Sequence, residues 1–306
     1  MVKVSCGLIF PGQGSQFVGM GADLYDRFPE SRAVYDRACD VLEFDIREIS
    51  FQGPEDRLRS TRYTQPAILV HSMAVLAALP ALEPPAVAGH SLGEYSALYA
   101  AGALDFESVL KLVRRRAELM AAEGEKNPGT MAAIIGADAE KVGELCSRIE
   151  GIVVPANFNE PLQTVISGEV EAVRRAVELA PEIGARKAVL LPVSGAFHSP
   201  LLDESARAFA DYLAGFEFRR GRCPVIANIT GRQLRSPGEL RYALGRQLTS
   251  PVRWVETIRS CRALGITNYL EPGPGRVLAG LVRRIDRDAT VYPAGTADEI
   301  TALLAE

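Results

Sequence analysis

The chain has 306 residues, enough for one large domain or for a large and a small one. Its hydrophobic fraction of 47% and charged fraction of 24% are those of an ordinary globular protein, and a net charge of −4 argues against a nucleic-acid partner held by a general basic surface. Cys6, Cys39, Cys146, Cys223 and Cys261 are scattered without C-x-x-C spacing, which excludes a disulfide framework and a zinc site and fits a reducing setting. No charged-then-apolar leader opens the chain. The longest apolar stretch, Ala74 to Leu82, is broken by Pro80 and is too short for a bilayer. The expectation is a cytoplasmic, soluble protein with no membrane partner.

In chain order, Val4 to Phe10 reads as a first strand entering the turn Pro11-Gly12-Gln13-Gly14-Ser15-Gln16. Helical patterns follow to about Ala81, one of them Pro66 to Leu79. Pro85-Ala86-Val87-Ala88 reads as a buried strand, and Glu94 to Ala101, closed by Gly102, as a helix. Asp105 to Ala122 is a strongly amphipathic helix, and Asn127-Pro128-Gly129 breaks the chain. Then come a strand (Thr130 to Ile135), a helix (Ala139 to Ile149) and two strands (Val153 to Asn157, Gln163 to Ser167). A helix (Val170 to Leu179) and a strand (Arg186 to Leu190) complete a β-α-β-β-α-β series, the ferredoxin-like arrangement. The expectation is a small subdomain over residues 127–191 inserted into a large one over 1–126 and 192–306, where short strands and helices alternate to the end.

Gly89-His90-Ser91-Leu92-Gly93 is the one G-x-S-x-G of the chain, and it lies between the strand and helix that such a motif needs. Glycines let the backbone turn sharply enough to project the Ser91 hydroxyl, and the amides opening the helix face any oxyanion formed beside it. A serine nucleophile needs a base, and the chain holds three histidines. His90 adjoins Ser91 and should point away from it. His71 lies in an upstream helix and reads as a partly buried or capping residue. His198, in Gly195-Ala196-Phe197-His198-Ser199-Pro200 where the chain leaves the small subdomain, is the candidate base. No acidic third member is evident from the residues, and a backbone carbonyl can orient an imidazole equally well. Gly12-Gln13-Gly14 has Phe17 where a dinucleotide loop needs its third glycine, so the turn reads instead as a donor of one oxyanion N–H, with Leu92 N–H the other.

Val109, Leu112, Val113, Arg116 and Met120 share one helical stripe, with Arg114 and Arg115 on the opposite side. Arg116 is thus a cation on an apolar face and needs an anion, either an internal carboxylate or one on a substrate. Ser91, His198 and Arg116 together suggest acyl transfer from a substrate with a free carboxylate.

Over nearly its whole length the chain resembles the malonyl-CoA:acyl carrier protein transacylases of type II fatty-acid synthesis. The resemblance rests on Phe10-Pro11-Gly12-Gln13-Gly14-Ser15-Gln16, Gly89-His90-Ser91-Leu92-Gly93-Glu94-Tyr95, Met131-Ala132-Ala133-Ile134-Ile135-Gly136, Gly195-Ala196-Phe197-His198 and Glu271-Pro272-Gly273-Pro274-Gly275. It implies a large α/β-hydrolase-like subdomain with an inserted ferredoxin-like one. It also implies Ser91 as acylated nucleophile, His198 as base, Gln13 and Leu92 as oxyanion-hole amides, and Arg116 on the malonyl carboxylate. Gln247 matches the family position whose backbone carbonyl orients the histidine.

The implied substrates are malonyl-CoA and the phosphopantetheine thiol of acyl carrier protein, with no cofactor and a monomeric enzyme. Ala196-Phe197-His198 is similar to the malonyl-type pattern of polyketide acyltransferases, whereas Gly195, Glu160 and Leu202-Asp203-Glu204 depart from the usual sequence at the pocket rim. A free-standing polyketide acyltransferase and a Ser-His acyl hydrolase stay open as alternatives. An acidic carrier protein calls for a local basic patch, with Arg283, Arg284 and Arg287 or Arg219, Arg220 and Arg222 as candidates.

Overall fold

A computed structural model describes residues 6–193 and 195–305. Among the described residues, ten strands form two sheets. The larger contains β1 (Gly7–Phe10), β2 (Val87–Gly89), β7 (Val225–Ile226), β8 (Gln233–Leu234), β9 (Asn268–Pro272) and β10 (Thr290–Ala294). The smaller contains β3 (Gly129–Ile135), β4 (Val153–Glu160), β5 (Gln163–Glu169) and β6 (Lys187–Leu190). The protein is therefore of the α/β class, with a parallel sheet and a separate antiparallel one.

In the large sheet the order is β10-β9-β1-β2-β7-β8, parallel throughout except for the β7–β8 edge pair. β1 and β2 are buried at every position, as expected of parallel strands covered on both faces. Because β1, β2, β7 and β9 run the same way, the turns at their carboxyl ends gather along one edge, where open α/β sheets place ligands. The residues named above at Val4 and Ser5 lie outside the described ones, so the first strand is observed from Gly7.

The small sheet has the order β4-β5-β3-β6, all antiparallel, which is the ferredoxin-like order 4-1-3-2 in its own strand numbering. Its helices Ala139–Ser147 and Val170–Leu179 bury Val142, Leu145, Val173 and Ala176 against Ala132, Ile134 and Ile166. β4 is tied to the segment before the helix Trp254–Ala263: Val252 N–H donates to Ala156 O and Phe158 N–H to Val252 O, each at 2.8 Å.

Two helices differ from the sequence pattern in where they start and stop. The helix carrying His71 begins at Thr61, a turn before Pro66. A proline favours the first turn, but here the Tyr63 and Thr64 N–H groups already donate to Ser60 O at 2.8 and 2.9 Å, closing a turn before Pro66 is reached. The amphipathic helix runs Phe106–Lys126, with Asp105 as its cap: the carboxylate accepts the Ser108 N–H at 2.8 Å.

Candidate active site

Ser91 sits in the turn between β2 and the helix Gly93–Ala100, at φ 50°. That left-handed conformation costs a non-glycine residue on the order of 1–3 kcal/mol, so the surroundings must hold it. The flanking glycines are required by close approach. A Cβ on Gly89 would lie 1.9 Å from the Gly93 carbonyl carbon, and one on Gly93 would lie 2.1 Å from the Phe10 carbonyl oxygen. No side chain fits either place, so the motif's glycines are steric necessities of the turn.

Three neighbouring strand ends converge here. At the end of β1, Gly12 packs so closely on His90 that an added Cβ would fall 2.4 Å from the His90 carbonyl oxygen. The Gln13 turn thus lies beside the Ser91 turn, and among the described residues neither Gln13 N–H nor Leu92 N–H donates to a protein acceptor. Two amides left free beside a hydroxyl can receive an oxyanion. Just beyond β7, Asn228 accepts the Ser91 N–H on Oδ1 at 2.7 Å and donates from Nδ2 to Gly89 O at 2.6 Å. Asn228 therefore ties the strained turn from both sides.

His198 lies in a tight turn at φ 58°, closed by Ser199 Oγ donating to Ala196 O at 2.7 Å. The neighbouring Ser194 lies outside the described residues. His198 Nε2 is 2.7 Å from Ser91 Oγ. Its Nδ1 faces two carbonyl oxygens, Gln247 O at 3.0 Å and Ser250 O at 3.1 Å. Carbonyls only accept, so Nδ1 carries the proton and Nε2 presents its lone pair to the serine. Burial and the nearby Arg116 charge pull His198 down to about 3, so the ring is neutral and able to accept a proton. The other histidines do not bond Ser91 Oγ. His90 Nε2 is 2.8 Å from Asn159 Oδ1, and His71 is buried within its helix.

Arg116 is 1% exposed, one of the largest fully buried side chains. Its hydrogen bonds go to neutral oxygens: NH1 to Gln65 Oε1 at 2.6 Å, and NH2 to Ser91 Oγ at 3.0 Å and Gln247 Oε1 at 3.1 Å. Among the described residues Nε has no acceptor at all. The face of the guanidinium lies 5.5 Å from the Tyr95 ring centre. A buried cation satisfied only by dipoles, with a donor to spare, is suited to a carboxylate delivered from outside.

The groups surround a cavity of about 190 Å³ between the two sheets. Met131, Asn157 and Asn159 from the small sheet form one wall, and Val277, Leu278 and Leu281 another. The helix Val277–Ile285 carrying the second wall is anchored by Glu271, whose two oxygens accept Leu278 N–H at 2.9 Å and Ala279 N–H at 3.0 Å. Among the described residues no group of three or more His, Cys, Asp or Glu could hold a metal ion, and no helix is long and apolar enough to cross a membrane.

All six residues singled out from sequence thus border one site. Sequence reasoning missed Asn228, Glu94, Gln65, Ser250 and the side chain of Gln247. Glu94 was visible as part of the motif, but its partners are distant: Gln247 Nε2 donates to its Oε2 at 2.6 Å across 153 residues. Of the two arginine clusters, Arg283, Arg284 and Arg287 are exposed on or just past the helix that lines the cavity, with Arg284 NH1 on Glu160 at 2.9 Å. Arg222 instead bonds Ala100 O, at the far end of the helix that starts beside Ser91.

The acyl transferase domain family matches residues 8–288. A malonyl CoA-acyl carrier protein transacylase of Staphylococcus aureus (strain MRSA252) is 39% identical over 296 residues, 96% of each chain. One of Bacillus subtilis (strain 168) is 42% identical over 284 residues, 91% of this chain and 90% of that one. Among solved structures, a type II PKS acyl-carrier protein in complex with its malonyl-transacylase superposes with a TM-score of 0.95 at 40% identity, covering 99% of both chains. A Streptococcus pneumoniae structure of the same enzyme type gives a TM-score of 0.93 at 41% identity over 98% of this chain and 99% of that one. With the family match spanning nearly the whole chain and this identity held across both subdomains, the protein belongs to the acyl transferase family, among the malonyl CoA-acyl carrier protein transacylases.

Proposed function

We propose that this chain moves a malonyl group from malonyl-CoA to the phosphopantetheine thiol of acyl carrier protein in fatty-acid synthesis, through a malonyl ester on Ser91. The observation that carries the reading is the convergence on one oxygen: Ser91 Oγ is 2.7 Å from His198 Nε2 and 3.0 Å from Arg116 NH2. Nucleophile, base and carboxylate receiver share one hydrogen-bonding shell.

His198 Nε2 takes the Ser91 proton as Oγ attacks the thioester carbon, and the Gln13 and Leu92 amides receive the oxyanion. The carbon–sulfur bond breaks, and coenzyme A leaves as its thiol with the proton from His198. In the second half the carrier's thiol gives its proton to His198 and attacks the ester, and Ser91 recovers the proton. Each half exchanges an acyl group between comparable energies, so the cycle runs in both directions and calls on no metal or redox cofactor. Arg116 holds the malonyl carboxylate, which takes the N–H now directed at Ser91 Oγ. Gln247 O keeps His198 in the required tautomer.

Residues 1–126 with 192–306 serve as the catalytic subdomain and 127–191 as the small one, whose Met131, Asn157 and Asn159 wall the acyl pocket. The acidic carrier docks at Arg283, Arg284 and Arg287, and the enzyme acts as a cytoplasmic monomer without nucleic-acid or membrane partners. A type II polyketide carrier is the second reading, supported by the likeness to a transacylase solved with such a carrier.

Intact-protein mass spectrometry after malonyl-CoA, then after holo-carrier protein, tests the reading. The expected result is a malonyl adduct on the native chain that passes to the carrier and never forms on Ser91→Ala. Loss of the adduct to water at the same rate without carrier would make the protein a hydrolase. An adduct with a neutral acyl-CoA but none with malonyl-CoA would refute the assignment of Arg116.

A further inference from the structure

Gln247 works at both ends. Its carbonyl faces His198, while its side chain, fully buried, lies between Arg116 and Glu94. Oε1 accepts from Arg116 NH2 at 3.1 Å, and Nε2 donates to Glu94 Oε2 at 2.6 Å and to Ser91 O at 3.0 Å. A guanidinium only donates, and a carboxylate and a carbonyl accept, so this orientation of the amide is the one its partners allow. Turned over, its NH2 would face the Arg116 donors and its oxygen would face two acceptors.

Glu94 is 3% exposed, and its Oε2 also receives the Asn228 N–H at 3.4 Å. Burial pushes its carboxyl up to about 7, which the Gln247 and Asn228 hydrogen bonds and the Arg116 charge partly oppose. The amide also separates two groups of opposite charge. Were Glu94 to reach Arg116 directly, the guanidinium would be neutralised from within and closed to an incoming carboxylate.

We propose that Glu94 is a positioning residue for Arg116, acting through the Gln247 amide, and that this relay sets the preference for acyl groups that carry a carboxylate. The inference rests on the reading of Arg116 given above. Glu94 fixes the amide, the amide fixes the guanidinium plane, and Arg116 keeps its remaining donors free for the substrate. Neutral acyl groups make no use of Arg116 and should be nearly indifferent to the relay.

The test is the ratio of kcat/KM for malonyl-CoA to that for acetyl-CoA, measured with holo-carrier protein as acceptor. Glu94→Leu should lower the ratio by about 10-fold or more, the scale of one buried charge-assisted hydrogen bond, chiefly by raising KM for malonyl-CoA. Glu94→Gln, whose amide oxygen can still accept from Gln247, should recover most of the lost ratio. Gln247→Leu removes the amide, keeps the backbone carbonyl on His198 and should lower the ratio as well. A fall in both substrates together in Glu94→Leu, or an unchanged ratio, overturns the proposal. If Glu94→Leu does not fold, Gln247→Leu decides in the same way. Arg116→Ala separates the two levels. An unchanged ratio there refutes the Arg116 reading and this inference with it. A collapsed ratio there, with both relay variants unchanged, refutes the relay alone.

Discussion

Asn228→Ala offers a direct measure of how the Ser91 turn is held. The side chain is 1% exposed and makes two hydrogen bonds to the backbone of the motif, 2.7 Å to Ser91 N–H and 2.6 Å to Gly89 O. Each such bond contributes about 1 kcal/mol net, and each partner left buried and unpaired costs about 1–3 kcal/mol. Allowing for partial relaxation, truncation should destabilise the chain by about 2–4 kcal/mol, a fall in Tm of about 3–6 °C for a chain of 306 residues. The chemistry should suffer on a comparable scale, because release of the left-handed strain at Ser91 lets the turn shift. Moving Oγ by ~1 Å from its place against His198 Nε2 costs about 100-fold in acylation rate. Thermal unfolding and the rapid-quench rate of serine acylation by malonyl-CoA, measured on one preparation, check both parts. A lowered Tm with acylation within about threefold of native would show that Asn228 supports the fold without positioning the nucleophile. A Tm within ~1 °C of native would refute the energetic argument itself.

Gly89→Ala should abolish acylation and cost more than about 3 kcal/mol, since its Cβ would sit 1.9 Å from backbone carbon with no flexible group to yield; a folded, active variant by circular dichroism and acylation assay would contradict the steric reading. His71→Leu tests a pH linkage. Burial holds His71 neutral in the folded chain down to about 4, whereas an unfolded imidazole takes its proton below about 6.5. Between those values the unfolded state binds the additional proton, so falling pH favours unfolding and the contribution is regained as pH rises. The stability of His71→Leu relative to native should therefore climb by roughly 1 kcal/mol per pH unit on going from pH 6.5 toward 4 in denaturant titrations, and parallel curves would refute it. Reversing Arg283 and Arg287 to Glu should raise the KM for carrier protein while leaving malonyl-serine formation from malonyl-CoA intact; an unchanged KM removes that patch as the docking surface.

What could be read from the sequence follows from how locally each feature is encoded. The ferredoxin-like order emerged because every strand and helix of 129–190 carries its own periodicity, and the Ser91 turn because its two glycines lie two residues from the serine. His198 could be chosen because only three histidines competed, and Arg116 because a charge on an apolar stripe has no local excuse. The supporting groups carry no such signature. Asn228 and Gln247 are ordinary polar residues at the ends of short elements, and they reach the motif across 137 and 156 residues. Asn228 depends on strand order, which sets β7 beside β2 and makes the two strand ends neighbours, and Gln247 depends on where the helix Pro237–Arg246 ends against the motif. The motif states which atom is to react, whereas topology supplies what keeps that atom in place. Substitutions at Ser91, His198 or Arg116 should therefore remove a chemical capacity outright. Substitutions at Asn228, Glu94 or the Gln247 side chain should leave the capacity and blur its geometry or selectivity, a graded loss that kinetics on two acyl groups can resolve and an endpoint assay cannot.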